Sequence, residues 1–591
     1  MMESKPPLTT KSYPGVPPLL APLFAPLLVL GVTWLAFLLR LHQLGRPSLW
    51  YDELLELDIA REPLLEIAPQ LIRHAAMPLD YYLLHGWVML GRQESWVRFP
   101  ALFCGVLAVP LTYALARCLF NRWLGVLAAT LLAISPFAIR YSQEARPYAL
   151  LMVCVLLTML GLWQVYHTGY YRYWVLTIVG LVGAALSHYF TIFVLLPVGL
   201  FVLAQQLYHL KHKGYWLHSA FFLLAVLALL FLFINYGRVW QLYSVGERFL
   251  REIDQPELYT VAAAEKPNRG SGPPLNTEFF VSRVLAPISS AKPWPMLWYN
   301  GFFLLGVLAL TAFGHKNRVA VLFLLGWLFL PILLIYAFLL HRGTFYAVRY
   351  ILYTLPAYLI LVAYGIQLMV NFLAGSAAKL NRRQQPAWFG RSLPLTLSLL
   401  ALAPLARSQA DALQLYYGSP AYEDWRSVGY LLQQNAATTD AVIAIKAEPA
   451  INWYYPPARA ELGTYSQNQA IWQRLRQHPR RWFVLSSYSF KIDKGLRDWL
   501  AGQQAVRIAI DRRLVVYYHQ ADQSQAQMLE QVKHFALPQR AETYAALADQ
   551  LHQVGDLESS KLFYQKAVDL AATPDQKGEY ETRLAALPAT P

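Results

Sequence analysis

Residues 21–53 read APLFAPLLVLGVTWLAFLLRLHQLGRPSLWYDE, an apolar run followed by a turn and an acidic pair, Asp52-Glu53. An apolar run of about 20 residues is long enough to cross a bilayer as a helix. Because no small-residue cleavage site follows it, we interpret this run as a retained first helix and not as a signal peptide. The acidic pair is therefore expected just beyond the first membrane span.

The same apolar pattern recurs along the 591 residues, of which 56% are hydrophobic and 14% charged. An average soluble domain has about 25% charged residues, so most of this chain is not suited to water. The apolar runs predict a polytopic α-helical membrane protein with about eleven transmembrane helices. They lie at 19–40, 98–119, 123–139, 147–166, 173–187, 189–208, 217–236, 297–313, 319–340, 348–370 and 392–406.

The charged residues indicate how the chain is oriented in the bilayer. A formal net charge of +15 would favour a nucleic-acid partner in a soluble protein, but here the basic residues flank apolar helices. They are expected to face anionic lipid headgroups, and no nucleic-acid partner is predicted. Alternating spans bring the basic connectors to the side of the N-terminal tail, 1–18, which the positive-inside rule makes the cytoplasm. The predicted outer side receives 41–97, 140–146, 237–296, 341–347 and everything after about residue 407.

Two outer loops and a C-terminal region complete the predicted organisation. The first outer loop, 41–97, contains amphipathic pieces that suit helices lying along the membrane interface, within a membrane domain spanning 19–406. The long loop 237–296 is rich in Pro, Gly and charge, which favours a functional lid or a disordered segment.

Beyond residue 407 the composition is that of a soluble protein. Short apolar strands and one amphipathic helix predict a small α/β domain over 407–535. Residues 536–591 contain a 34-residue pattern similar to a tetratricopeptide repeat, and a plain helical hairpin fits it equally well. Acceptor recognition and docking of a partner protein are both open as roles for this region.

Polar residues at the predicted outer helix ends provide the candidate site. A polar side chain inside or beside a membrane helix is costly, so a convergence of several indicates function. A carboxylate can remove a proton from an attacking hydroxyl, and arginines suit a phosphate. The candidates are Asp52 and Glu53 as catalytic residues, Arg146, Arg349 and Arg98 for a lipid phosphate, and Tyr51, Tyr82, Glu144, His188 and Tyr350 for sugar or acceptor.

Each candidate also has a structural interpretation. Taken singly, an acidic pair beside a helix is more often a solvated helix start, and Arg98 or Arg349 could be a snorkelling anchor. His188 at a helix end is more often a hydrogen-bonded structural residue than a metal ligand. The three cysteines all lie in apolar runs, and no zinc or nucleotide motif is present in the sequence.

Five segments resemble the GT-C-fold glycosyltransferases of family 39 and related type, which include protein O-mannosyltransferases and aminoarabinose transferases. The resemblance covers about residues 20–370. In order, the segments are GRPSLWYDELLELDIAR, MPLDYYLLHGWVMLGRQESWVRFPALFCG, YSQEARPYALL, LSHYFTIF and RYILYTLPAY.

The resemblance implies an inverting transferase that takes a sugar from a polyprenyl-phosphate carrier, with undecaprenyl phosphate as the expected carrier. Transfer would occur at the outer face of the cell membrane, to a hydroxyl of a protein, lipid or glycan. Asp52 would act as base with Glu53 as its neighbour. Some relatives bind a divalent metal through Glu and His, but Glu144 and His188 form no clear cluster, so no metal or other cofactor is predicted.

Two other classes remain open from the residues alone. A transporter or flippase of a lipid-linked glycan would also place charges in a helical bundle, although it tends to show interrupted helices in two matching halves. A non-catalytic membrane assembly factor would suit the repeat-like C-terminal helices and would not need Asp52 or Glu53.

Overall fold

The structure is a computed structural model of the chain. It describes residues 24–74, 76–208, 220, 223, 281–312, 315–342, 347–380, 389–418, 423–445, 447–455, 478–486, 499–500, 502–511 and 513–588. Nearly all of the predicted helix 217–236 and most of the predicted loop 237–296 lie outside these residues.

The first part of the chain is helical throughout. Ten helices follow one another: α1 (Phe24–Leu41), α2 (Tyr51–Ala60), α3 (Leu64–His74), α4 (Pro78–Val88), α5 (Glu94–Leu119), α6 (Arg122–Ala133), α7 (Pro136–Ser142), α8 (Tyr148–Thr168), α9 (Arg172–Ser187) and α10 (Ile192–Tyr208). A short 3₁₀ turn, Tyr189–Thr191, leads into α10.

The second part of the membrane region has four long helices, preceded by a short π-helical turn at Val281–Leu285 and a short helix at Ala286–Ile288. They are α11 (Pro293–Ala312), α12 (His315–Arg342), α13 (Leu355–Leu380) and α14 (Phe389–Gly418). A 3₁₀ helix, Val348–Thr354, runs directly into α13.

Among the described residues, six helical segments are long and apolar enough to cross a membrane. The pair α6 and α7 would add a seventh, although it is bent by 61°. The bend follows from Pro136, which cannot continue the hydrogen bonding of α6, and Ser135 instead caps the new helix by accepting from the N–H of Ala138. The helical membrane fold is thus confirmed, and the total of eleven spans stays a prediction.

The C-terminal region combines a small sheet with short helices. Its elements are α15 (Trp425–Asn435), β1 (Ala441–Ile445), α16 (Glu448–Tyr454), β2 (Arg480–Ser486), β3 (Val506–Ala509), β4 (Leu514–Gln520), α17 (Gln525–Lys533), α18 (Ala541–Gln553), α19 (Leu557–Leu570) and α20 (Pro574–Ala585). The sheet order is β1-β2-β4-β3, with β1 and β2 parallel and the other pairs antiparallel.

Helices α18 and α19 form a hairpin that covers one edge of this sheet. The turn between them uses Gly555 at φ 88°, a conformation that favours glycine. Gln550 of α18 accepts from the backbone N–H of Arg507 in β3 and donates to its carbonyl, so the free edge of β3 is occupied. Whether the hairpin is a tetratricopeptide-type repeat stays a prediction.

The C-terminal region packs directly on the first outer loop. Leu54 and Leu57 of α2 share one hydrophobic core with Trp425 and Ile451. Polar contacts reinforce this packing, since the Tyr454 hydroxyl accepts from the backbone N–H of Leu49 at 2.9 Å and donates to a Glu94 oxygen at 3.1 Å. The two regions therefore lie on the same side of the membrane helices.

Candidate active site

Glu53 is fully buried, and protein donors occupy both of its carboxylate oxygens. Oε1 accepts from Arg98 Nε at 2.8 Å and from the backbone N–H of Ala145 at 2.8 Å. Oε2 accepts from Arg98 Nη2 at 2.7 Å and from the backbone N–H of Trp50 at 3.2 Å. The carboxylate thus ties the start of α2 to α5 and to the connection between α7 and α8.

Arg98 is only 3% exposed and uses all five of its N–H donors within the protein. Two of its N–H groups donate to Glu53, and the other three donate to the carbonyl oxygens of Leu44 at 2.9 Å, Pro47 at 2.8 Å and Ser48 at 3.0 Å. Because a guanidinium has five such donors, none is left for a ligand. This geometry argues against the lipid-phosphate role predicted for Arg98.

Asp52, the other half of the acidic pair, is in a different environment. Its Oδ2 lies 3.3 Å from Arg349 Nη2, and the two side chains are 23% and 24% exposed. Arg349 comes from the 3₁₀ helix before α13, almost 300 residues along the chain. The ion pair is a single, long and accessible contact, so it can be exchanged for a contact with a ligand.

Arg146 is the second cation beside Asp52. It forms an ion pair with Glu56 and donates to the Asp52 backbone carbonyl at 3.2 Å. Its Nη2 also lies 3.5 Å from the Tyr148 hydroxyl. Glu56 was not among the predicted site residues, although its spacing of four from Asp52 places both on one helix face and is the signal that could have identified it.

Both arginines retain an unused donor. Among the described residues, the buried Nε–H groups of Arg146 and Arg349 have no hydrogen-bond partner. A buried donor without a partner costs about 1–3 kcal/mol, which a bound anion would recover. In this respect Arg146 and Arg349 differ from Arg98, whose guanidinium is saturated.

Aromatic rings surround these cations. The Arg349 guanidinium lies 5.6 Å from the Trp50 ring centre and 5.8 Å from those of Tyr148 and Tyr350. The His188 ring lies 5.8 Å from Tyr148 and 5.9 Å from Tyr350, so both predicted residues, His188 and Tyr350, belong to this cluster. The His188 Nδ1 accepts from the backbone N–H of Phe190.

Comparison of the sequence with known proteins finds one matching family model. Residues 74–232 match the family model described as dolichyl-phosphate-mannose-protein mannosyltransferase, a stretch that contains Arg98, Arg146 and His188 and begins after Asp52. Among curated protein sequences, none is similar enough to match the chain.

Solved structures share the fold at low sequence identity. ArnT from Cupriavidus metallidurans bound to undecaprenyl phosphate has a TM-score of 0.50 and 14% identity, covering 85% of this chain and 99% of that one. Its apo structure has a TM-score of 0.51 and 13% identity, covering 84% and 98%. The Archaeoglobus fulgidus oligosaccharyltransferase has a TM-score of 0.47 and 14% identity, covering 84% and 74%.

The chain has the fold of the GT-C membrane glycosyltransferases, and a family model of this enzyme class matches residues 74–232. The prediction made from its five short motifs is thereby confirmed at the level of fold and enzyme class.

Two of the predicted tyrosines lie outside the arginine cluster. Tyr51 faces the C-terminal region of the transferase: its backbone N–H donates to Glu423 Oε2 at 3.3 Å, and burial followed by the charge of Glu448 raises its pKa to about 12. Tyr82 on α4 is 36% exposed and, in the described part of the chain, makes no hydrogen bond or ring contact with Asp52 or the two arginines. The proximity of Glu423 and Glu448 to Tyr51 could not be inferred from spacing.

Glu144 of the transferase is buried beside Arg140, whose Nε lies 3.5 Å from its Oε1. Its Oε2 has no hydrogen-bond partner among the described residues. No described group of three or more His, Cys, Asp and Glu side chains is arranged to hold a metal ion, so Glu144 and His188 do not belong to one.

Replacing Glu144 by glutamine tests how much the buried carboxyl group of Glu144 reduces the stability of the folded protein. Burial raises the pKa of the Glu144 carboxyl to about 7, against the opposing effect of Arg140. Because the folded protein then holds a proton that the unfolded chain loses, stability falls as the pH rises from about 4.5 to about 7. Glu144→Gln should therefore stabilise the transferase by on the order of 1–3 kcal/mol at pH 8 and by less at pH 5. Apparent unfolding temperatures in detergent measure this, and equal shifts at both pH values would contradict it.

Proposed function

We propose that the transferase moves a sugar from a polyprenyl-phosphate donor to an acceptor hydroxyl at the extracytoplasmic face of the cell membrane. The observation that carries the proposal is the pair of arginines, Arg146 and Arg349, that keep unused donors directly beside the accessible carboxylate of Asp52. Guanidinium groups bind phosphates strongly, and a carboxylate next to them can take a proton from an acceptor.

In the proposed reaction Asp52 is the base and the donor phosphate is the leaving group. The acceptor oxygen forms a bond to the anomeric carbon as the bond from that carbon to the phosphate oxygen breaks. The acceptor proton passes to Asp52, and the polyprenyl phosphate leaves with its negative charge facing Arg349 and Arg146. A single displacement inverts the anomeric carbon.

Binding of the donor would replace the contact between Asp52 and Arg349 by a contact between the donor phosphate and Arg349. Before binding, Arg349 contacts Asp52 through one N–H at 3.3 Å. A phosphate bearing more accessible oxygens competes for that guanidinium, which releases the Asp52 carboxylate to accept the proton of the acceptor. Arg349 would in this way couple donor binding to activation of the base.

Glu53 has a positioning role in this scheme. Its carboxylate is enclosed by Arg98 and by the backbone N–H groups of Trp50 and Ala145, so it cannot reach a substrate. By holding the first turn of α2, it fixes the backbone from which the Asp52 side chain projects.

The carrier, the side of the membrane and the acceptor are part of the proposal. ArnT was solved with undecaprenyl phosphate, which supports that carrier here. The basic connectors support an extracytoplasmic site. The C-terminal region, which reaches Tyr51 through Glu423 and Glu448, is proposed to contact the acceptor, whether protein, lipid or glycan.

Replacing Arg349 by alanine should raise the KM for the lipid donor about 10–100-fold, because one charge-assisted phosphate contact contributes about 1.5–3 kcal/mol. Arg172→Ala is the matched control, since Arg172 opens α9 and its guanidinium lies over the rings of Tyr170 and Tyr173. Steady-state kinetics against donor concentration measures both. An unchanged donor KM in Arg349→Ala would remove Arg349 from the phosphate site.

A further inference from the structure

A cavity lies between α8, α10 and α12, away from the active site, with a volume of about 610 Å³. Its walls include Trp163, Phe201, Phe323 and Gly326. The volume is within the range of about 300–1,000 Å³ that is usual for small-ligand sites, and the lining is mainly apolar. An apolar molecule, or the apolar part of one, would fit it.

The cavity is at the end of the bundle opposite to Asp52. Helix α8 begins at Tyr148, which contacts Arg146, and Trp163 lies 15 residues further along, or about 22 Å at 1.5 Å per residue. The described helices leave the cavity open on one side, where its lining residues Leu200 and Leu322 are 46% and 58% exposed. A molecule from the far leaflet can therefore enter it sideways.

One polar group of the residues that line the cavity has no hydrogen-bond partner in the described part of the chain. Trp163 is 4% exposed and packs among His167, Phe201 and Phe323. Its buried indole N–H has no hydrogen-bond partner among the described residues. A buried indole usually finds an acceptor, so the ligand is expected to carry one.

We propose that this cavity binds one acyl chain of a glycerophospholipid from the leaflet opposite to the active site, with an ester carbonyl accepting from Trp163 Nε1. Trp163 is five residues from the end of α8, or about 7–8 Å, which places it in the half of the helix that faces the opposite leaflet. Arg318, the residue before the lining residue Val319, is exposed and suits a lipid phosphate.

The donor carrier is a poorer occupant. A polyprenyl chain has no carbonyl to satisfy the Trp163 N–H. Its phosphate would belong beside Arg349, at the other end of α8. The acyl ester provides both the apolar chain and the acceptor that the cavity lacks.

The test uses the full-length protein in nanodiscs containing phosphatidylglycerol with a photoactivatable group on one acyl chain. The probe is prepared with ester linkages and, separately, with ether linkages that lack carbonyls. Gly326→Phe fills the cavity, since the nearest atom to an added Cβ there is 3.9 Å away. Gly301→Phe is the matched control on α11, where an added Cβ meets nothing within 4 Å. Trp163→Phe removes the N–H and keeps an aromatic ring.

We expect labelled peptides from α8, α10 and α12 in the wild type and in Gly301→Phe, and a loss of about tenfold in Gly326→Phe, as a filled pocket excludes the chain. The wild type should label about three- to fivefold more with the ester probe than with the ether probe, the contribution of one hydrogen bond. Trp163→Phe should show no such preference. Equal labelling in Gly326→Phe, equal ester and ether labelling in the wild type, or displacement of the probe by polyprenyl phosphate would each overturn the proposal.

Discussion

Asp52→Asn is expected to slow sugar transfer by about 10²–10⁴-fold, the usual contribution of a positioned general base. Asparagine has nearly the shape of aspartate but cannot accept the proton of the acceptor hydroxyl. Folding should be little affected, because the only ion pair lost among the described contacts of Asp52 is the long, partly exposed one with Arg349.

The matched control for this variant is Asp58→Asn, the same substitution on the same helix. Asp58 faces Asn452 of the C-terminal region at 3.4 Å and has no arginine contact like that of Asp52 among the described ion pairs. Initial rates at saturating donor, together with donor affinity, separate chemistry from binding. A rate near that of the wild type in Asp52→Asn, with normal donor affinity, would remove Asp52 from the role of base.

Arg98→Met is expected to destabilise the protein by about 3–5 kcal/mol, because it leaves the fully buried Glu53 carboxylate without its cation. The double variant Glu53→Gln/Arg98→Met should recover part of this loss, since no buried charge is then unpaired. Apparent unfolding temperatures in detergent give both values.

Arg426→Met is the matched control for the buried pair. Its ion pair with Glu94 has the same N–O distance of 2.7 Å, but its side chain is 47% exposed. An exposed pair contributes about 0–1 kcal/mol, so this variant should change stability little. If Arg98→Met were as mild as Arg426→Met, Glu53 would not be the anchor of α2.

The apolar runs were sufficient to predict several membrane helices to within a few residues, whereas α13 and α14 continue to Leu380 and Gly418, beyond the predicted ends at 370 and 406. The run 147–166 corresponds to Tyr148–Thr168, and 173–187 to Arg172–Ser187. The prediction missed the 61° bend within 123–139. Pro136 is visible in the sequence, but many membrane helices continue through a proline, and only the packing around it decides whether the helix breaks.

The division of labour between Asp52 and Glu53 could not be read from the sequence. Both are acidic and adjacent, and the difference comes from Arg98 and Ala145, which lie 45 and 92 residues further along the chain. Likewise, three arginines were predicted to bind phosphate from their charge and position, with Arg98 third after Arg146 and Arg349. The hydrogen bonds of the three guanidinium groups differ. Arg98 uses all five of its N–H donors, whereas the Nε–H groups of Arg146 and Arg349 have no partner among the described residues.

The position of the C-terminal region was also beyond sequence reasoning. Its contact with the active-site helix depends on Tyr454, which meets Leu49 across 405 residues of chain. Such contacts are set by tertiary packing and leave no periodic signal in either segment.

The most direct test of the central claim is to incubate the purified protein with a panel of radiolabelled polyprenyl-phosphate sugars and follow the label out of the lipid fraction. The wild type should consume at least one of these donors, and Asp52→Asn should leave that same donor intact. Failure of the wild type to consume any lipid donor, while it transfers label from a nucleotide sugar, would contradict lipid-dependent transfer at Asp52.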